Sequence, residues 1–302
     1  MTDNNNYCNI TDQAITVPSN HLDSWICKIH SHLSDAFNAD FYLIRCTKQD
    51  VRTKEFLNGI IKLIINYSLN KDEIPDPIKP TDITDLWLKA RERFVVSDDS
   101  GEPGEIILFA LLETEKNAPQ LLNKMALKTD GQLHYQGLDG IHIRANGDEI
   151  QMYYGESKLH KKRSSGITTA IAQLEEFHNS PTDEKFELTL VSNHIDPSKF
   201  VDSMEVIKKY ISPYTRDKTN LSKTYAVFIG YDWDKLSQIN TASIQHDLEG
   251  TLKKLFSKEI SDTITYCSEK CNPSVLKNRI DFFFIPFPNV EEFRKQFKEV
   301  IS

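Results

Sequence analysis

Two short runs in the middle of the chain alternate apolar and polar residues, and a period of two predicts β-strands. The first run covers residues 139–144, and the second covers residues 150–158. Asn146, Gly147 and Asp148 lie between them and have the composition of a tight turn. We therefore expect a hairpin in which the first strand starts at the sheet edge where the second strand ends.

Apolar residues at helical spacing are found on both sides of this hairpin. The polar segment 98–105, which contains a proline, leads into a dense apolar run and predicts a helix from about Glu105. A second helix is expected over residues 167–178, a possible strand over 124–129 and a further strand over 186–191. The predicted order is α-β-β-β-α-β, which is the order of the restriction-endonuclease-like core.

The rest of the chain predicts elements that accompany this core within one domain, residues 1–302. Residues 1–97 are expected to be a mainly helical N-terminal elaboration, residues 98–195 the core, and residues 196–302 a C-terminal α/β extension of the sheet. The N-terminal part should contain a helix over 22–36, a strand over 41–45, a helix over 56–68, a Pro-rich loop over 74–80 and a helix over 82–94. The C-terminal part should contain a helix over 203–211, a strand over 224–231, a helix over 246–258, a strand over 280–285 and a helix over 290–301.

Aromatic residues are concentrated in the last predicted strand, at Phe282, Phe283, Phe284 and Phe287. Aromatics in a strand usually pack in a core, and this is the interpretation we favour. The alternative is an exposed edge that docks a partner.

The candidate catalytic residues lie around the end of the second hairpin strand. Glu156 and Lys158 are two residues apart, so a strand projects both to the same side, and the hairpin brings Asp139 to the same edge. Carboxylates bind hard cations such as Mg²⁺, with Mn²⁺ as a substitute, and the Ser157 backbone carbonyl is a further candidate ligand. A bound metal polarises phosphate and activates water, and a lysine can orient that water or neutralise developing charge. The alternative is a solvated Glu-x-Lys pair on an edge strand.

Two further acids are candidates for the metal site. Glu105 lies in the first turn of a predicted helix, where the helix dipole favours a carboxylate. It can therefore either complement the dipole or bind the metal, directly or through a water. Glu102 is the substitute candidate for the same role.

Polar residues beyond the motif are candidates for contacts with the substrate. Lys161, Lys162 and Arg163 follow the strand and can contact phosphates, although a short basic cluster can equally be a solvated loop. Gln173 lies on the next predicted helix and is either an accessory group of the site or a surface residue.

The D…ExK pattern resembles that of the PD-(D/E)XK nucleases, and the surrounding residues are similar to a narrower family, HamA, the nuclease subunit of the Hachiman anti-phage system. The resemblance lies in runs around Glu105, Asp139 and Glu156 and in the run 123–129. It implies that Asp139, Glu156 and Lys158 are catalytic, that the substrate is DNA, and that a HamB-like helicase forms a heterodimer with the nuclease and holds it inactive on intact DNA. Leu138 stands where the nuclease pattern usually has proline.

Composition narrows the function classes. The 36 basic and 44 acidic residues give a net charge of −8, which argues against a protein that coats nucleic acid by charge alone. The N-terminus lacks the pattern of a signal peptide, and no apolar run has membrane-spanning length, so we expect a cytoplasmic protein without a membrane partner. Five cysteines without the spacing of a disulfide-bonded framework predict reduced thiols. Cys267 and Cys271 could supply only two of the four ligands of a zinc site.

The sequence leaves two classes of function open. One is a metal-dependent DNA nuclease, and the other is a non-catalytic subunit whose nuclease-like fold binds nucleic acid or a helicase. The joint presence of Asp139, Glu156 and Lys158 favours the nuclease. RNA as the substrate and site-specific restriction both remain open.

Overall fold

The structure, a computed structural model, describes residues 12–47, 50–94, 100–127, 137–146, 149–201, 203–212, 220–237 and 248–302. Its middle layer is a mixed sheet, whose strands in the described residues are β1 (Ile26–Leu33), β2 (Asn38–Ile44), β3 (Gly140–Asn146), β4 (Glu149–His160), β5 (Leu221–Asp232) and β6 (Ile280–Phe287). They lie in the order β1-β2-β6-β5-β4-β3. The chain is therefore an α/β protein with a mixed six-stranded sheet.

The centre of the sheet is formed by the last two strands of the chain. β5 pairs in parallel with both β4 and β6, and β6 pairs in parallel with β2. All eight residues of β6 are buried, including Phe282, Phe283, Phe284 and Phe287, which confirms that these aromatics belong to the core. The alternative of a partner-docking edge is wrong for this strand. The C-terminal part thus supplies the middle of the sheet, where the sequence predicted an extension of it.

Helices cover both faces of the sheet. They are α1 (Thr53–Ile61), α2 (Ile64–Ser68), α3 (Asp82–Arg91), α4 (Glu102–Glu115), α5 (Lys124–Leu127), α6 (Arg163–His178), α7 (Pro181–His194), α8 (Met204–Ile211), α9 (Asp234–Ser237), α10 (Leu248–Cys271) and α11 (Val290–Ile301). α4 packs on one face, where Gly104 approaches Ser157, and α6 packs on the other, where Gly166 approaches Lys158. A Cβ at Gly104 would lie 3.2 Å from the Ser157 hydroxyl, and a Cβ at Gly166 would lie 3.3 Å from Ile229 of β5, so a side chain at either glycine would crowd the sheet. Each helix of the described part of the chain is too short or too polar to cross a bilayer.

Most of the predicted elements are confirmed. The structure has the strands expected at 41–45, 139–144, 150–158, 224–231 and 280–285 and the helices expected from Glu105 and at 82–94, 167–178, 203–211, 246–258 and 290–301. The helix expected over 56–68 divides into α1 and α2, and α10 continues to Cys271. The Pro-rich segment 74–80 has neither helix nor strand.

The helix predicted over residues 22–36 is wrong. A 3₁₀ turn (Leu22–Ser24) leads into the edge strand β1, so the N-terminal part contributes two strands to the sheet and is not only helical. Ile26, Ile29 and Leu33 have the spacing of a helix face. The register of β1 against β2 shifts between Lys28 and His30, and such a bulge breaks the period of two from which a strand is recognised.

The strand predicted over residues 186–191 is also wrong, because the segment lies inside α7. The start of this helix is marked by Pro181 in its first turn and by Ser180, whose side chain accepts a hydrogen bond from the Asp183 N–H. The strand that pairs in parallel with β4 is β5, which comes after α7 and α8.

The possible strand over 124–129 is wrong at residues 124–127, which form α5, while Lys128 and Thr129 lie outside the described residues. The outer edge of β3 is instead covered by the segment just before α5. The Leu121 N–H donates to the Ile141 carbonyl at 2.8 Å, and the Ile143 N–H donates to the Pro119 carbonyl at 3.1 Å. These bonds hold α5 close to the start of the hairpin.

Candidate active site

The register of the hairpin brings Asp139 and Glu156 together. Gly140 pairs with Gly155, and the Asp139 N–H still donates to the Gly155 carbonyl at 2.9 Å. Glu156 is the residue after Gly155, and the negative charge of Asp139 acts to raise its pKa. The two carboxylates that the sequence singled out therefore lie near each other at this end of the hairpin.

Asp139 is held in place by the strand that it faces. Its Oδ2 accepts hydrogen bonds from the Ser157 backbone N–H at 2.6 Å and from the Ser157 hydroxyl at 2.7 Å. The Ser157 side chain lies on the α4 face of the sheet, next to Gly104. Two donors on one oxygen fix the orientation of this partly exposed carboxylate. The Ser157 carbonyl as a metal ligand remains a prediction.

Glu156 and Lys158 form a contacting pair on the α6 face. The Lys158 ammonium donates directly to Oε1 of Glu156, whose side chain is buried. Burial and, next, the negative charge of Asp139 raise the pKa of Glu156 to about 7, although the positive charges of Lys158 and Lys124 act to lower it. A raised pKa next to a second carboxylate means that two negative charges are crowded in a poorly solvated place.

The first turn of α4 adds Glu102 and Glu105 to this neighbourhood. The Tyr67 hydroxyl donates to Oε2 of Glu105 at 2.8 Å. Burial and then the charges of Glu105, Asp139 and Glu102 raise the pKa of Tyr67 well above its usual value. Tyr67 therefore contacts Glu105 and lies within reach of the charges of Asp139 and Glu102. Their role as metal ligands remains a prediction.

The fit to a metal ion can be judged from the donor set. Among the described residues, no group of three histidine, cysteine, aspartate or glutamate side chains is arranged to hold a metal as it stands. Mg²⁺, however, is often bound by one or two carboxylates, with waters and substrate phosphate completing its shell. The pair of Asp139 and Glu156 suits such a cation, because their mutual repulsion, seen in the raised pKa of Glu156, would be relieved by it.

The basic residues after β4 are paired with acids of the same chain. Lys161 Nζ lies 2.9 Å from Oε1 of Glu291, and Arg163 contacts Glu259. Arg163 is the first residue of α6, so it does not belong to a loop as predicted. Lys162 is the N-cap of the same helix.

Three other residues considered in the sequence lie on helices α6 and α10. Gln173 is exposed on α6, so its role as an accessory group remains a prediction. Cys267 and Cys271 are buried on α10, and the four cysteines of the described residues are free thiols, as expected.

Sequence reasoning missed Lys124 and Glu187. Lys124 Nζ lies 3.4 Å from Oε1 of Glu187, and the same oxygen accepts the Leu138 N–H at 3.2 Å. Glu187 is completely buried. The available signal was a lone glutamate inside the apolar run from Phe186 to Val191, since a charge in a buried segment usually has a partner.

A comparison with known protein families gives one match. The HamA family matches residues 19–301, which is nearly the whole chain. No curated protein matches.

Proposed function

The chain belongs to the HamA family, and we propose that it is a metal-dependent DNA nuclease that acts as an effector of anti-phage defence. Membership of this family, which is linked to the Hachiman system, supports the role in defence. The observation that carries the nuclease proposal is that Asp139 is bonded to the end of β4, where its charge acts on Glu156 and Lys158 contacts Glu156.

Each residue has a distinct role in this proposal. Asp139 and Glu156 would hold Mg²⁺ or Mn²⁺, with the Ser157 carbonyl and Glu105 as further ligands. The bound metal would polarise a phosphate and lower the pKa of a water. Ser157 orients Asp139 through its N–H and hydroxyl, and Lys158 supplies a positive charge beside the reacting phosphate.

The fold supports a variant of the PD-(D/E)XK core. The features that support it are the antiparallel hairpin β3–β4, its parallel partner β5 and the helices α4 and α6 on opposite faces of the sheet. The variation lies in α7 and α8, which separate α6 from β5, and in α5, which replaces the start of the expected first strand.

We further propose that a HamB-like helicase delivers DNA to this nuclease and restrains it. The net charge is −8, and Lys161 and Arg163 are already paired with Glu291 and Glu259. Non-specific affinity for DNA comes mostly from neutralising phosphates, so the free chain should bind DNA weakly. The two proteins, expressed together from one operon, should elute as one heterodimer at micromolar concentration. Separate elution would contradict this regulation and leave the nuclease proposal in place.

Cleavage of plasmid DNA by the purified full-length protein tests the proposed activity. With Mg²⁺ the wild type should cut, whereas Glu156→Ala and Lys158→Ala should lose about 100-fold or more in rate, because these groups act on the transition state. Chelation of the metal should stop cleavage. Glu299, an exposed residue of α11, offers a matched control, since Glu299→Ala should cut like the wild type. Equal cleavage by Glu156→Ala would refute the assignment and favour the non-catalytic alternative.

A further inference from the structure

We propose that Glu187 is a positioning residue of this site and that it holds Lys124 as a second cationic residue beside the backbone that leads into Asp139. The inference rests on the proposed nuclease function and names a part of the site that lies outside the D…ExK pattern. Both residues come from helices, α5 and α7, in segments whose sequence predicted strands.

One oxygen of Glu187 joins two parts of the site. Oε1 accepts the backbone N–H of Leu138 at 3.2 Å and lies 3.4 Å from Nζ of Lys124. Leu138 immediately precedes Asp139 in the chain. The carboxylate therefore restrains the turn that presents Asp139 and, at the same time, the ammonium group of Lys124.

Lys124 lies where a positive charge affects the reacting groups. Its side chain is 14 % exposed, so it reaches the surface of the site although it is paired with a fully buried acid. Lys124 shares the Glu187 oxygen with the N–H of Leu138, so its ammonium group lies beside the backbone that leads into Asp139. Its positive charge also acts to lower the pKa of Glu156.

A polar partner for Lys124 is needed because the side chain is mostly withdrawn from water. A buried ammonium without a counter-charge would be costly, and a flexible lysine without a restraint would sample several rotamers. Glu187 meets both requirements because it is completely buried and lies on α7, a 14-residue helix that packs against α6, whereas Lys124 lies on the four-residue α5.

The chain contains a matched control for this pair. Glu113 of α4 is also buried, also lies 3.4 Å from a lysine (Lys199), and also accepts backbone N–H groups, those of Thr16 and Val17. Glu113 is eight residues beyond Glu105 on the same helix, about 12 Å along its axis, so its pair lies away from the first turn. Both pairs should contribute to stability, and only Glu187–Lys124 should affect cleavage.

Kinetics of the full-length protein on plasmid with Mg²⁺ test the proposal. Glu187→Gln should lower the single-turnover rate at saturating DNA about 10- to 100-fold, as loss of a group that orients another does. Lys124→Met should lower it to a similar extent. The double variant should be no slower than Lys124→Met alone, because the glutamine oxygen can still accept the Leu138 N–H and only the charge that holds Lys124 is lost. Lys124→Arg, which keeps the charge, should recover part of the rate. Affinity for DNA should change by less than about threefold in Glu187→Gln, and Glu113→Gln should retain the wild-type rate.

Methylation of lysines in the metal-free protein provides a second measurement that does not depend on activity. Lys124 should react faster with formaldehyde and borohydride in Glu187→Gln than in the wild type, while Lys199 should react at its wild-type rate. In Glu113→Gln, Lys199 should react faster than in the wild type, and Lys124 should react at its wild-type rate.

Three results would overturn the inference. Wild-type cleavage by Lys124→Met would do so, and this variant decides the matter if Glu187→Gln does not fold. A double variant whose loss is the product of the two single losses would assign Glu187 a role independent of Lys124. An unchanged rate of methylation of Lys124 in Glu187→Gln would show that Glu187 does not pair with Lys124. If the wild type and Glu156→Ala both fail to cut DNA, the proposed function fails, and methylation still decides the Glu187–Lys124 pairing.

Discussion

The two buried Glu–Lys pairs of this molecule use the same chemistry in different places. Glu113 and Lys199 join α4 to the loop after α7 and hold the segment around Thr16, whereas Glu187 and Lys124 join α7 to the start of the hairpin. Each lysine–oxygen distance is 3.4 Å, and both glutamates are almost completely buried. Pairing and burial alone therefore do not identify a functional group. The neighbouring residues do, and those of Glu187 are Lys124 and the backbone that leads into Asp139.

The largest expected effect of breaking the Glu113–Lys199 pair is on stability, without an effect on cleavage. Glu113→Ala would leave the Thr16 and Val17 N–H groups and Lys199 without their acceptor, and loss of one member of a buried pair costs about 3–5 kcal/mol. Urea unfolding should measure this loss, while the cleavage rate per folded molecule should stay at the wild-type value. A loss of rate greater than the loss of folded protein would place Glu113 in the functional machinery and remove the contrast.

The hairpin region should respond to Mg²⁺, and the Glu113 region should not affect that response. Binding of a ligand at about 100 times its dissociation constant stabilises a folded protein by about 2.7 kcal/mol. We expect Mg²⁺ to raise the melting temperature of the wild type and of Glu113→Gln by equal amounts and to leave that of Asp139→Asn unchanged. An unaltered response in Asp139→Asn would contradict the assignment of Asp139 to the metal site.

The Glu113 region should be the more sensitive of the two to acid. His142 on β3 is buried, its Nδ1 lies 2.7 Å from the Ala118 carbonyl, and the charges of Glu113 and Lys199 face it. Burial lowers the pKa of His142 to about 4, against the raising effects of the Ala118 carbonyl and Glu113. The unfolded chain therefore binds a proton at His142 near pH 6.5, whereas the folded chain binds it only near pH 4. The contribution of neutral His142 to the free energy of unfolding is complete above pH 6.5 and is lost as the pH falls towards 4.

Urea unfolding at pH 7.5 and pH 5 checks this expectation. About 2 kcal/mol should be lost between the two values through His142, because the loss accumulates over the 1.5 pH units below 6.5. His142→Gln keeps an N–H donor and should remove this part of the pH dependence. An identical pH dependence in this variant and in the wild type would show that His142 does not carry it.

The elements confirmed from sequence are those whose signals are local. β3 alternates apolar and polar residues, β4 is rich in β-prone residues, and α11 has apolar residues at Val290, Phe293, Phe297 and Ile301, so each pattern is complete within a short window. The failures share a different cause. In β1 a bulge interrupts the alternation by which a strand is recognised. In α7 the signals for a helix start at Ser180 and Pro181 are followed by an apolar run that is also typical of a strand.

The sequence by itself determined the chemistry of the hairpin, because strand alternation and a short turn are enough to bring Asp139, Glu156 and Lys158 to one edge. Only the tertiary structure decided which distant groups support them. β5 and β6 became the centre of the sheet, and Glu187 came to lie behind Leu138 and Lys124, through contacts between residues 49 and 63 positions apart. Such contacts form where helices and strands pack, and the spacing of residues along the chain carries no signal for them.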